Sequence, residues 1–294
     1  MKSRIKRSCW LKLGCLFSTC ILSSIASADS SVWLVQAEDH TIYLGGTVHL
    51  LRAADYPLPD EYGEAYAASA SLVFETDLSS MSDLSVQAKL LQQLRYGDGE
   101  SLKTVLNEEA YSVLEAYTGS VGLPLAMLEQ FKPGMVVSTL QIMEFQRIGF
   151  TPQGVDAYFN ALAMSDGKPL GQLETIDAQI GFLASMGEGN ESEFILLSLK
   201  DLEDTVEVMD DMIAAWRIGD NDALSELFVA DMLEQAPEIY DSLLKQRNLN
   251  WLPQLEDMLE SPEIEFVLVG AAHLVGPDGL LAMLQAKGYQ ISQL

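Results

Sequence analysis

Short apolar runs rich in branched side chains alternate with helical patterns along most of the chain. Residues 266–269 have the composition of a strand that is buried on both faces, and residues 41–44 and 71–74 are further strand candidates. Residues 82–147 and the acidic stretch from 191 to 260 instead show helical spacing of apolar positions. This pattern predicts an α/β fold, with α+β as the alternative: a mostly parallel central sheet with a large helical insert that covers it.

Two of the predicted strands end in the same motif. Gly46 precedes His49 by three residues, and Gly270 precedes His273 by three residues. The chain has only three histidines, and the third, His40, falls in a predicted hairpin turn where we assign it no role. Because ligands bind beyond the carboxyl ends of strands in open α/β sheets, the repeated Gly-x-x-His predicts a functional edge.

Carboxylates mark other places where predicted elements begin or end. Glu75 closes the strand at 71–74, and Glu174 closes a short strand that begins after Lys168. Asp156 lies near the start of a predicted helix, for which Thr151 and Pro152 have the composition of an N-cap and first position. Glu75, Glu174 and Asp156 are therefore candidates for acid–base or metal-binding roles.

The first 28 residues have the composition of a cleavable signal peptide. A basic segment precedes an apolar stretch at 13–25, and Ala26-Ser27-Ala28 forms a small-x-small cleavage pattern. We expect a single domain from 29 to 294 that is periplasmic or secreted, with no membrane span after cleavage; an uncleaved anchor and a lipoprotein are the lesser alternatives.

Composition narrows the possible chemistry. All three cysteines precede residue 29, so the predicted mature chain has neither a disulfide nor a thiol nucleophile. The full chain has a net charge of −26, and the charged residues of the predicted leader are all basic. Such acidity argues against nucleic acid and anionic membrane surfaces as partners. Basic residues are scarce in this chain, so Arg247 is either a structural ion-pair partner or a substrate clamp.

The residue types at the strand ends are those that bind divalent transition metals. Two imidazoles and a carboxylate, from His49, His273 and Glu75, would leave one position open for a water that the metal activates. A metal-free arrangement is the alternative, with a histidine as general base that Glu or Asp orients.

Six blocks resemble the TraB/GumN family, which includes the Tiki proteases: TIYLGGTVHLL, SLVFETDL, PQGVDAYF, GKPLGQLETIDAQ, QRNLNWLPQLEDML and FVLVGAAHLVGPDGLLAMLQAKGYQI. The resemblance covers the predicted mature chain and implies an α/β core. In the Tiki branch it implies a peptidase that depends on a divalent metal. It places His49, His273 and Glu75 at the metal centre and also points to Asp156, Glu174 and the pair Arg247-Asn248.

Two functions follow as hypotheses. The first is an exported metal-dependent hydrolase, a peptidase acting on peptides or proteins, with manganese, cobalt or zinc as its ion. In it, Glu174 or Asp156 would activate the water and Arg247 would stabilise the oxyanion. The second is a non-catalytic binding protein that captures a peptide or a haem-like ligand in the same cleft. Carboxylates at several strand ends favour the hydrolase.

Overall fold

The computed structural model describes residues 30–203 and 205–294. The expected signal peptide and its cleavage site after Ala28 lie outside the described residues. No helix in the described ranges combines the length and the apolar character that a membrane crossing requires.

A six-stranded sheet forms the centre of the fold. Its strands are β1 (Val32–Ala37), β2 (His40–Thr47), β3 (Ser71–Phe74), β4 (Leu170–Gln172), β5 (Glu265–Gly270) and β6 (Gln290–Gln293). Their order across the sheet is β4-β3-β5-β2-β1-β6. The four strands from β4 to β2 run parallel to one another, whereas β1 pairs antiparallel with both β2 and β6. The expected mostly parallel α/β sheet is confirmed.

The register brings the carboxyl ends of three strands to one edge. Thr47 of β2 pairs with Gly270 of β5, and Phe74 of β3 pairs with Leu268 of β5. Because β5 lies between β2 and β3, the two Gly-x-x-His motifs occupy neighbouring strand ends and the residue after β3 lies beside them. The predicted proximity of the two motifs, more than 200 residues apart in sequence, is therefore confirmed.

Helices supply most of the remaining chain. They are α1 (Asp60–Ala68), α2 (Leu84–Gln93), α3 (Leu102–Val105), α4 (Glu108–Ser120), α5 (Pro133–Arg147), α6 (Val155–Asp166), α7 (Ile176–Ser185), α8 (Glu191–Glu203), α9 (Thr205–Arg217), α10 (Asn221–Ser225), α11 (Asp231–Gln235), α12 (Pro237–Tyr240), α13 (Gln246–Leu259), α14 (Ala271–Leu274) and α15 (Leu280–Ala286). Single π-helical turns join α10 to α11 and α12 to α13.

Two apolar clusters hold these elements together. The larger cluster contains the sheet residues, including Leu44, Phe266 and Val267, together with Trp216 and Trp251 from α9 and α13. The smaller cluster is built by α3, α4, α5 and α8. The helical insert therefore has a core of its own, while the sheet core supports the edge where the motifs lie.

Two local predictions differ from the structure. Thr151 and Pro152 do not begin a helix, because Thr151 exchanges two backbone hydrogen bonds with Leu51 and is held extended. The helix α6 begins instead at Val155, which still leaves Asp156 in its first turn. His40 begins β2 rather than occupying the turn, and its Nδ1 lies 3.1 Å from the carbonyl oxygen of Leu259.

Candidate active site

The sheet edge collects the chemical groups that the sequence singled out. His49 follows β2, Glu75 follows β3 and His273 follows β5 within α14. Glu174 lies two residues beyond β4, and its backbone N–H donates to the carbonyl oxygen of Glu75 at 2.9 Å. Arg247 reaches the same edge from α13 and is buried.

Arg247 is the centre of a buried polar network. Its Nη2 donates to Glu75 Oε2 at 2.6 Å and to Glu174 Oε1 at 2.8 Å, and its Nε donates to Glu174 Oε2 at 3.1 Å. Its Nη1 donates to His273 Nε2 at 2.9 Å and to the carbonyl oxygen of Leu243 at 3.2 Å. A guanidinium has five N–H groups, and these five contacts use all of them. An oxyanion would therefore have to displace one of these partners to reach Arg247.

Aromatic rings hold the same guanidinium in place. Its Cζ lies 4.7 Å from the centroid of the Trp251 ring and 5.4 Å from that of Phe182. Trp251 also contacts the imidazole of His273, with ring centroids 4.4 Å apart. These contacts favour the planar cation and restrict its orientation.

Asn248 fixes the tautomer of His273. The Asn248 Nδ2 donates to the carbonyl oxygens of His273 and Asp278, at 3.0 and 2.8 Å, which leaves its Oδ1 facing His273 Nδ1 at 2.7 Å. Since Oδ1 only accepts, Nδ1 carries the proton and the lone pair on Nε2 accepts from Arg247. Burial lowers the pKa of His273 to about 3, so the ring is neutral.

Glu75 is ionised despite its burial. Its Oε1 accepts from the backbone N–H of Gly270 at 2.7 Å, and Gln179 Nε2 lies 3.4 Å from Oε2. Burial alone raises the pKa of this carboxyl, but the positive charges of Arg247 and His49 and the Gly270 N–H outweigh that effect and hold the pKa below its ordinary value. The Glu75 carboxylate thus joins β3 to the start of α14 and to Arg247.

His49 and Asp156 form a separate pair at the rim of the network. His49 Nδ1 lies 2.8 Å from Asp156 Oδ2, and the side chains are 68% and 10% exposed respectively. Asp156 raises the pKa of His49 to about 9, against the opposing effect of partial desolvation. The largely exposed His49 side chain thus lies at the sheet edge with its Nδ1 bound to Asp156.

A glycine allows this pair to form. A Cβ on Gly154 would lie 2.3 Å from the carbonyl oxygen of His49 and from that of Val48. Only glycine lets the start of α6 approach the backbone of β2 so closely, and Asp156 lies two residues further on. Gly154 was missed as a functional residue in the sequence, although it stands within the GVD block beside Asp156.

Two buried side chains secure the other half of the first Gly-x-x-His motif. The carbonyl oxygen of Gly46 accepts from Trp216 Nε1 at 2.8 Å and from the Tyr62 hydroxyl. Both side chains are fully buried. These buried hydrogen bonds therefore fix the end of β2, while the exposed His49 side chain is held by Asp156.

The described side chains do not fit a metal centre formed by His49, His273 and Glu75. The lone pair of His273 Nε2 and the Oε2 of Glu75 already accept from Arg247, and a guanidinium repels a neighbouring cation. Over residues 30–203 and 205–294, no group of three His, Cys, Asp or Glu side chains is arranged to hold an ion. The divalent ion remains a prediction from the resemblance.

The fold and this edge define an α/β protein with a buried Glu–Arg–His network beside an exposed histidine that pairs with a buried aspartate. The profile of the TraB/PrgY/gumN family matches residues 31–293, so the chain belongs to that family.

Two curated proteins also resemble the chain. They are both called "Uncharacterized protein YbaP", one from Escherichia coli (strain K12) and one from Shigella flexneri. Each is 23% identical over 251 residues, which cover 83% of this chain and 87% of the relative. No solved structure matches the chain.

Proposed function

We propose that the chain is a hydrolase of peptides in which His49 and Asp156 transfer the protons of an attacking water. The observation that carries this proposal is the 2.8 Å contact between His49 Nδ1 and Asp156 Oδ2, with the His49 side chain exposed beside the buried network. A histidine oriented by a carboxylate through one ring nitrogen is the arrangement of a general acid–base group.

The reaction needs no nucleophile from the protein. Nε2 of His49 takes a proton from water as the oxygen bonds to the scissile carbonyl carbon. Asp156 stabilises the imidazolium that forms, and Nε2 then returns the proton to the leaving nitrogen as the carbon–nitrogen bond breaks. Because the pKa of His49 is raised to about 9, the neutral ring that accepts the proton is the minor form at neutral pH. Because all cysteines precede residue 29, a water is the simplest nucleophile for the predicted mature chain.

The buried network positions the strand ends. Arg247 links Glu75, Glu174 and His273, which follow three different strands, and so holds the edge on which His49 lies. Its positive charge is already matched by two carboxylates. In this arrangement Arg247 supports the site. For Arg247 to stabilise an oxyanion, or for Glu174 to act as a base, these ion pairs would have to open.

The family resemblance keeps a divalent ion as the second candidate for activating the water. Two of its three predicted ligands are close together, with His273 Nε2 and Glu75 Oε1 3.9 Å apart. The ion would require Arg247 to withdraw from both, so we derive no catalytic step through it. Export into the periplasm or outside the cell belongs to the same proposal, and intact mass of natively produced protein tests cleavage after Ala28.

Peptide digestion followed by mass spectrometry tests the proposal. The purified protein is incubated with a defined mixture of unstructured peptides, with and without a chelator, beside His49→Gln and the matched variant His40→Gln. We expect His49→Gln to lower the cleavage rate by about a hundredfold or more and His40→Gln to retain it. Tight peptide binding without any cleavage by the wild type would support the binding-protein alternative instead.

A further inference from the structure

A cavity of about 330 Å³ adjoins the buried network, between α7 and α8 on one side and α12 on the other. Two of its lining residues also contact Arg247: Phe182 through its ring and Leu243 through its carbonyl oxygen. The volume lies at the lower end of the range typical of ligand pockets. The cavity therefore borders the buried network at Arg247.

The floor of this cavity is apolar. It is formed by half-buried side chains from three helical segments: Phe182, Met186, Phe194, Leu197 and Ile239. Gly187, which has φ of 77°, permits the packing, because a Cβ there would lie 2.7 Å from the Phe194 ring. The floor thus offers a surface for an aliphatic or aromatic group.

The rim of the cavity is acidic. Glu188, Glu193 and Glu238 line it and are exposed. No lysine, arginine or histidine is found among the described residues that line the cavity. A long basic side chain has an apolar alkyl stem and a cationic end. The apolar side chains of the cavity complement the stem, and the three carboxylates complement the cationic end.

We propose that this cavity binds a basic and apolar segment of the peptide substrate, with a lysine or arginine side chain extending to the three glutamates. The proposal rests on the proposed function for the identity of the substrate as a peptide. It adds a preference for substrates with basic residues. Glu188, Glu193 and Glu238 would set this preference through charge, and Phe182 and Phe194 through contact.

Calorimetric titration of the full protein with three short peptides tests this assignment. The probes are acetylated and amidated pentapeptides with the sequences FKLKF, FQLQF and FELEF. We expect FKLKF to bind at least about tenfold more tightly than FQLQF and FELEF to bind most weakly, with the difference shrinking at high salt.

The decisive variant replaces Glu188, Glu193 and Glu238 together by glutamine, and a matched control replaces the exposed Glu64, Glu115 and Glu260. Both remove three negative charges, so they separate a local effect from that of net charge. We expect the first to abolish the preference for FKLKF and the second to change its affinity less than about twofold. Equal binding of the three peptides by the wild type, or equal effects of the two variants, would overturn the assignment.

This titration requires no turnover, which separates it from the proposed function. The same titration with His40→Gln should give an unchanged affinity for FKLKF, because His40 lies at the start of β2 and does not line the cavity. If the wild type never cleaves peptides but shows the expected binding pattern, the hydrolase proposal fails while the cavity assignment stands. If the wild type cleaves peptides without a preference for basic residues, the cavity assignment fails while the hydrolase proposal stands.

Discussion

Asp156 Oδ2 lies 2.8 Å from His49 Nδ1, although the two residues are 107 positions apart in the chain. The contact depends on the segment after β2 meeting the first turn of α6 at one sheet edge. His49 leaves the end of β2, and Asp156 belongs to the first turn of α6. The close approach of these two backbones at Gly154 brings the side chains together.

Gly154→Ala should therefore disrupt the contact between His49 and Asp156 without changing either residue. The new methyl would lie 2.3 Å from the His49 carbonyl oxygen, and α6 or the end of β2 must move to relieve the overlap. We expect a loss of about 1–3 kcal/mol in the free energy of unfolding, measured by denaturant titration, and a marked loss of any peptide cleavage.

Gly63→Ala is the matched control for this prediction. Gly63 lies in α1, and a methyl group there would meet no atom within 4 Å. Alanine at this position should raise the free energy of unfolding by about 0.4–1 kcal/mol and leave cleavage unchanged. Equal stability and cleavage in both alanine variants would contradict the packing described at Gly154.

Arg247→Met should destabilise the fold strongly. The substitution leaves the buried Glu75 and Glu174 without their cationic partner, and the Arg247 side chain is only 6% exposed. Removing one member of a buried ion pair costs about 3–5 kcal/mol in the free energy of unfolding. Denaturant titration measures this loss.

Lys89→Met provides the comparison, since Lys89 of α2 forms an ion pair with Asp177 of α7 in which the side chains are 44% and 51% exposed. Solvent screens that pair, so little change in stability is expected. A similarly small effect for Arg247→Met would show that Glu75 and Glu174 are compensated by something other than Arg247.

The buried network illustrates which parts of the site the sequence could predict. β2, β3 and β5 were recognisable because strands covered on both faces are short, continuous apolar runs, and their ends placed His49, Glu75 and His273 at one edge. The contact from Arg247 to Glu75 spans 172 residues and arises from the docking of α13 on the sheet. No local pattern encodes that docking, so the sequence left the role of Arg247 open.

Helix boundaries show a second limit of sequence-based prediction. Thr151 and Pro152 are good residues for a helix start, but the pairing of Thr151 with Leu51 prevents one. Tertiary hydrogen bonds thus outweighed a local preference. The resemblance to the family identified Asn248, whose function became clear only from its contact with His273 Nδ1.

Glu265 predicts a pH dependence of stability at the opposite end of β5. Burial raises the pKa of its carboxyl, with Glu263 adding to the effect, and its Oε2 has no partner among the described residues. The folded-state pKa exceeds the unfolded value of about 4.3. The folded state therefore loses stability as the pH rises from the unfolded to the folded pKa of Glu265.

Glu265→Gln removes that ionisation. We expect it to raise the free energy of unfolding by about 1 kcal/mol at pH 7.5 and to have little effect at pH 4, where the carboxyl is already protonated in the folded state. Denaturant titration at the two pH values measures the difference. An equal effect at both would show that the Glu265 charge is not the cause.

Metal analysis separates the two ways of activating water. The protein is treated with a chelator, exposed to manganese, cobalt or zinc, and then dialysed. Because Arg247 is bound to His273 and Glu75, we expect the protein to retain well under one ion per chain. Elemental mass spectrometry measures the retained ion. One ion per chain that is lost in both His49→Ala and His273→Ala would establish the ligand set implied by the family resemblance.

Hydrolysis in water enriched with ¹⁸O, in the presence of a chelator, tests the proton-transfer role of His49 and Asp156 most directly. Mass spectrometry of the peptide products shows whether one ¹⁸O enters each new carboxyl group. We expect incorporation by the wild type and by Asp257→Asn, a control at an exposed position of α13, and a rate about a hundredfold or more lower with Asp156→Asn. Undiminished incorporation by Asp156→Asn, or none by the wild type until a divalent ion is restored, would contradict the proposed mechanism.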